Sequence, residues 1–297
     1  MDIRSLLFGS WIRRIVTVVV ALGVVAGAAF AAGAIGAPTV TSVRNSFGKT
    51  NQSTTVIDTE MGVNNPNPVG IDYGGIEINY TVSMNSITMA TGEKRSISIG
   101  KGNSTVPFET YLDNQKIPRW WASHLRNGES TTMRVDAVVR PGLVGRSIHT
   151  SPVQREINTD IIGQFNSSET RPISSEKAQD NPIAYINRTS ARWGDVSTEK
   201  TPIEVTFVMY NPKNRPLVMS ELGYNITMNG IDMGEGKAED ITIPPKTEKE
   251  VHTTIVLDNS KLDEWWVSHL NNNQRTNLVI DFYARFDLAI TTIQVPL

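Results

Sequence analysis

The chain has 297 residues, 39% of them hydrophobic and 20% charged, with 28 Lys and Arg against 30 Asp and Glu and no cysteine. This length suits about two domains, and the composition is that of a folded protein, not a disordered one. A formal net charge of -2 without a basic block denies nucleic acid its electrostatic footprint, and the missing cysteines exclude disulfides, thiolate metal sites and cysteine nucleophiles.

Arg4, Arg13 and Arg14 precede an uncharged run of 23 residues, Ile15 to Ala37. About 20 apolar residues are enough to cross a bilayer core. No lysine or arginine follows until Arg44, so the positive-inside rule places residues 1–14 in the cytoplasm, the anchor at 15–37 and everything from Pro38 onward outside the cell membrane. The competing reading is a cleaved signal peptide, because the run ends in small residues. A signal core is usually only about 7 to 15 residues, which favours the anchor. Either reading exports the rest, and the expected partners are the membrane itself and envelope proteins or lipids, with no nucleic acid. Sequons at Asn51, Asn79, Asn103, Asn166, Asn187 and Asn225 suit an exported surface.

Beyond the anchor the chain repeats. Asp113 to Arg140 aligns without a gap on Asp258 to Arg285 at an offset of 145, with the Asp-Asn, Trp-Trp and Ser-His-Leu groups coinciding. Tyr80, Met84, Asn85 and Gly92 match Tyr224, Met228, Asn229 and Gly236 one residue out of that register, and Asn65-Pro66 matches Asn211-Pro212. Solenoid repeats run about 20 to 50 residues, so this period marks a duplicated domain. The expected copies are 38–165 and 182–297, with the polar stretch 166–181 as linker.

Within each copy the hydrophobic period is two. Residues 76–82 and 203–208 alternate apolar with polar, and further strands are expected at 40–43, 56–63, 95–99, 105–112, 133–139, 241–243, 251–257 and 278–286. Short strands at this spacing predict an all-β fold, an antiparallel sandwich per copy. One short helix per copy interrupts it, starting near Pro118 and ending at Asn127-Gly128 in the first. Ile117, Trp121 and Leu125, like Leu262, Trp266 and Leu270, form a core-facing stripe. Trp120 and His124, like Trp265 and His269, stand four apart on its flank, so each pair of rings can touch. Because neighbours on a helix cannot both face one core, Trp120 and Trp265 are expected to be partly exposed. With His124 and His269 as helix-surface histidines, these four residues are the candidate interaction surface.

The Asn65-Pro66-Asn67 turn after the second strand, its counterpart Asn211-Pro212-Lys213, the turn at Met228-Asn229-Gly230 and Ile243-Pro244-Pro245 before another strand together resemble the type 2 late-embryogenesis-abundant family, also known as the water-stress and hypersensitive-response domain. The resemblance covers nearly all of residues 38–297 twice. The first copy departs from it with Ile99-Gly100-Lys101-Gly102 in place of an Ile-Pro-Ala-like turn. It implies two tandem fibronectin-III/immunoglobulin-like sandwiches and a non-enzymatic role in protection against desiccation, osmotic or salt stress, with no catalytic residue and no cofactor. A lipid- or ligand-binding or adhesion module of the cell surface is the alternative. The residues themselves agree that catalysis is not written here: Ser123 and His124 are neighbours pointing about 100° apart on a helix, which denies them a nucleophile–base bond. No HExxH, GxSxG or phosphate-loop pattern occurs.

Overall fold

The computed structural model describes residues 2–4, 38–140, 147–174, 181–288 and 291–297. The expected anchor, 15–37, lies outside the described residues, and no helix among those described is long and apolar enough to cross a membrane. The strands are β1 (Asp2–Arg4), β2 (Thr39–Thr50), β3 (Thr54–Asn65), β4 (Ile71–Met84), β5 (Ile87–Ile99), β6 (Gly102–Asp113), β7 (Ser130–Arg140), β8 (Ile148–Asn158), β9 (Arg171–Ile173), β10 (Ala184–Trp193), β11 (Lys200–Tyr210), β12 (Leu217–Met228), β13 (Ile231–Ile243), β14 (Glu248–Asp258), β15 (Asn277–Asp287) and β16 (Thr292–Pro296). Helix α1 (Ile117–Arg126) joins β6 to β7, and α2 (Leu262–Asn271) joins β14 to β15. The protein is mostly β, as the alternation predicts.

Described residues 38–158 form one unit, and 159–297 with 2–4 form the other. In the first, one antiparallel sheet runs in the order β2-β3-β6-β5-β4-β7-β8. Its β5–β6 seam is only Ala90–Gly92 against Thr110–Leu112, so the sheet is a three-stranded wing joined to a four-stranded wing. In the second unit the same wings are separate: β14-β11-β10-β9 is one sheet, and β13-β12-β15, with β16 and β1 both on β15, is the other. Phe207 of β11 meets Phe282 of β15 edge to face at 5.2 Å, so these two sheets share one core.

Alternation builds that core directly. Ile203, Val205, Phe207 and Met209 of β11 are buried while Glu204 and Thr206 between them are half-exposed, Val208 being covered on the opposite face, and Met61 and Val63 of β3 are buried in the same alternation in the first unit. The repeated Tyr and Gly are one device: Tyr80 pairs across the sheet with Gly92, and Tyr224 with Gly236, and any side chain at either glycine would collide with the tyrosine ring. The ring thereby reaches the opposite wing. Tyr80 Oη lies 2.6 Å from Thr110 Oγ1, and Tyr224 Oη accepts a hydrogen bond from the Val256 amide at 3.1 Å.

Residues 166–181, expected as a linker, belong in part to the second unit. Arg171–Ile173 pairs with Ala184–Ile186 as an edge strand, and Ser167 bridges to Thr189. Strands β8, β10 and β16 were likewise not expected. β8 and β10 have polar residues on both faces, β16 is only 5 residues long, and β8 also carries Pro152, which edge strands tolerate.

Candidate functional site

Each helix sits in a built seat. Asp113 caps the single turn at Asn114–Lys116 through the Gln115 amide, and Asp258 caps the equivalent turn through Ser260. Asn114 is fully buried: it accepts from Thr55 Oγ1 at 2.9 Å and donates to Asn51 O at 2.7 Å. Asn259 repeats this with Thr201 and Ser197, both at 2.9 Å. The shared Asp-Asn pair is therefore the hinge pin from which each helix leaves the sheet.

The expectation that Trp120, His124, Trp265 and His269 form a surface is corrected here. Trp120 is 4% exposed, Trp265 1%, and both histidines 0%. The reason is a polar partner at the start of the next strand. Trp120 Nε1 donates to Thr131 Oγ1 at 3.1 Å and His124 Nδ1 lies 2.8 Å from the same oxygen. Trp265 and His269 meet Thr276 Oγ1 at 3.0 and 2.8 Å. With its polar edge satisfied, the flank of the helix can be covered as fully as its stripe. The expected ring contacts are present, with centroids 5.8 Å apart for Trp120–His124 and 5.4 Å for Trp265–His269. Burial lowers the pKa of both histidines from 6.5 to about 4, so each imidazole is neutral at pH 7. Thr131 and Thr276 stand at the same 145-residue offset as the tryptophans, a signal the alignment already contained. Thr276→Val is expected to cost the second unit about 2 kcal/mol, because two buried polar edges lose that oxygen. A urea titration at neutral pH measures it.

The remaining helix contacts are also structural. Ser123 Oγ donates to Trp120 O at 2.7 Å and accepts from Asn85 Nδ2 at 3.1 Å, and Ser268 does the same with Trp265 and Asn229. Asn85 and Asn229 take left-handed backbone, φ 49 and 52, in the β4–β5 and β12–β13 turns. Their side chains bind the next strand: Asn85 accepts from the Thr132 amide, and Asn229 from the Asn277 amide.

The Asn-Pro turns are anchored from inside. Asn65, 2% exposed, donates to Val69 O at 2.9 Å and Gly100 O at 3.1 Å, and its Oδ1 accepts from the Asn67 amide and from Asn67 Nδ2. Asn211, fully buried, donates to Arg215 O, Ile243 O and Pro244 O at 2.9, 3.0 and 3.2 Å and accepts from the Lys213 amide at 2.9 Å. One asparagine thus ties its own turn to the turn ending β5 or β13. Pro66 and Pro212 preset the backbone between these contacts. Lys213 can replace Asn67 because Asn211 uses only its main-chain amide.

Among the described residues no group of three His, Cys, Asp or Glu side chains is placed to hold a metal ion. The polar side chains common to both copies are engaged in holding helix, turns and sheet together.

Comparison with curated proteins gives no match. Among solved structures, a protein from Archaeoglobus fulgidus is 26% identical over 37% of this chain and 88% of its own, at a TM-score of 0.35. A β-glucuronidase from Bacteroides uniformis is 8% identical over 82% of this chain and 25% of its own, at a TM-score of 0.26. A family profile described as late embryogenesis abundant protein matches residues 60–156 and 206–297. These two regions take in the Tyr-Gly pair, helix seat and asparagine turn of each copy, and the chain belongs to the late embryogenesis abundant type 2 family.

Proposed function

We propose that this stress-related protein is a non-enzymatic protector of the cell surface, a single-pass membrane protein carrying two fibronectin-III/immunoglobulin-like sandwiches outside the cell. The observation that carries the reading is that the same buried polar network is built twice, from the same residues, at nearly the same distances. Buried groups bonded to protein do not rely on bulk water, so such a domain keeps its fold as water activity falls. The apolar run at 15–37 supplies the anchor. The lipid-binding alternative is weakened, because the tryptophans that would have formed its platform are buried.

Anchoring and the β1–β15 pairing exclude one another for a single pass, since a bilayer would separate Asp2–Arg4 from Asn277–Val279. The test uses cells lacking the gene, dried or osmotically shocked, with the full chain or residues 38–297 restored. The expected result is tolerance rescued by the full chain alone, with an amino-terminal tag shielded from external protease. Unchanged tolerance in the deletion strain, or equal rescue by both forms, overturns the anchored reading.

A further inference from the structure

The outward face of the second unit's β14-β11-β10 sheet differs from everything the two copies share. Its outward side chains include Ser190, Arg192, Glu204, Thr206, His252 and Thr254, none of them buried. The register sets them in two cross-strand rows, Ser190–Thr206–His252 and Arg192–Glu204–Thr254. By alternation these side chains point away from the buried Ile203, Val205 and Phe207. The rows continue on the same face with Arg188–Val208–Glu250 and end on Tyr185–Tyr210, whose half-buried rings lie 6.4 Å apart and 35° tilted. Four rows at two residues per step span about 20 Å.

The fold does not require these residues. In the first unit the tyrosine row is Thr39–Asn64, and the counterparts of the other two rows are Arg44–Glu60–Pro107 and Ser46–Asp58–Glu109. The same sheet therefore forms without the aromatic pair and without the hydroxyl row.

The chemistry of the face is specific. Ser190, Thr206 and Thr254 offer hydroxyls, and Thr206 Oγ1 and His252 Nδ1 are 2.9 Å apart. Both arginines are matched by carboxylates: Arg192 Nε donates to Glu204 at 2.6 Å, and Arg188 lies 3.7 Å from Glu250. With its cations neutralised the face gives a polyanion no field to follow. A carboxylate beside a guanidinium does match neighbouring hydroxyls on one ring, accepting from one and donating to the next. The tyrosines add flat apolar surface for the C–H face of a pyranose, with polar tips left wet.

We propose that this face binds a neutral hexose polymer, one pyranose packed on Tyr185 and Tyr210 and the following rings hydrogen-bonded by Arg188 and Glu250 and along the two polar rows beyond them. The inference rests on the second unit's own surface and stands or falls separately from the stress-protection reading. The test titrates the full chain in detergent with cellohexaose, maltohexaose and, as a charged control, polygalacturonate, followed by calorimetry. Saturable binding of a neutral hexaose is expected. Tyr185→Ala and Glu204→Gln should each weaken it about tenfold, and Thr39→Ala in the first unit should leave it unchanged. Glu204 is half-exposed on the outward face, so its variant tests the site without risking the core. No saturation by either neutral hexaose at millimolar concentration overturns the proposal. So does binding that ignores both variants, or binding of polygalacturonate alone that disappears with salt.

Discussion

Asn211→Ala is expected to destabilise the second unit by about 3 to 5 kcal/mol, among the largest effects available to one polar residue. The side chain is fully buried and its amide serves three main-chain carbonyls, those of Arg215, Ile243 and Pro244. Removing it strands the buried Ile243 carbonyl away from water and unties the half-buried carbonyls of Arg215 and Pro244, and each unmet buried group costs about 1 to 3 kcal/mol. Its Oδ1 also fixes the Lys213 amide, so the turn loses its shape along with its tether to the end of β13. Asn211→Asp separates this account from simple loss of volume. Aspartate fills the same space, but turns a carboxylate towards three carbonyl oxygens, so it should be at least as damaging as alanine. Urea titration gives the magnitude, and amide exchange should show the loss concentrated at residues 211–215 and 243–247. A change below about 1 kcal/mol for both variants would mean that the turn holds itself, through Pro212 and the main chain.

Much of this arrangement could be read before any coordinates. The 145-residue register exposed the duplication, and period-two alternation exposed most of the central strands, because burial on one face stamps itself on a strand one residue at a time. The Asn-Pro turns were legible as turns. What Asn65 and Asn211 do was not, since Gly100 and Ile243 lie more than 30 residues away and only the folded chain brings their carbonyls within reach. The helix flank was misjudged for a related reason. Treating a helix as having one packed face makes Trp120 and Trp265 partly wet, but the returning strand puts Thr131 and Thr276 against that flank and makes burial affordable. Strands β8 and β10 escaped because polar residues on both faces blur the pattern that reveals a strand, and β9 and β16 because so short a segment scarcely shows it.

The duplication also sorts residues by role. Positions held in both copies (Tyr and Gly, Trp and His, Asn of each turn) close the core, pin the helix or tie turns, whereas the outward rows on β10, β11 and β14 carry different residues from their counterparts on β2, β3 and β6. A chain that carries the same structural solution twice leaves its individual chemistry on the surfaces where the copies part.

Acid should unfasten both helix seats. His124 and His269 are buried as neutral imidazoles with pKa near 4, against 6.5 for an unhindered histidine. Between those values the unfolded chain takes up a proton that the folded chain refuses. Stability is therefore complete above pH 6.5, falls as pH drops towards 4 and levels off below, so far as these groups are concerned. The loss amounts to about 3 kcal/mol per histidine over that window. Glu129 favours the proton on His124 and Gln274 takes its place in the second copy, yet burial dominates and holds both imidazoles at about 4. Urea midpoints followed at pH 7 and pH 4.5 should fall for both units. His269→Asn, which keeps a polar group near Thr276 Oγ1 but cannot titrate, should cost stability at pH 7 and flatten the second unit's pH dependence. Carboxylates also titrate towards the acid end of the range, but they contribute equally to parent and variant, so the difference between the two slopes isolates the histidine. If the slopes coincide, proton exclusion at the helix seat is not what acid acts on.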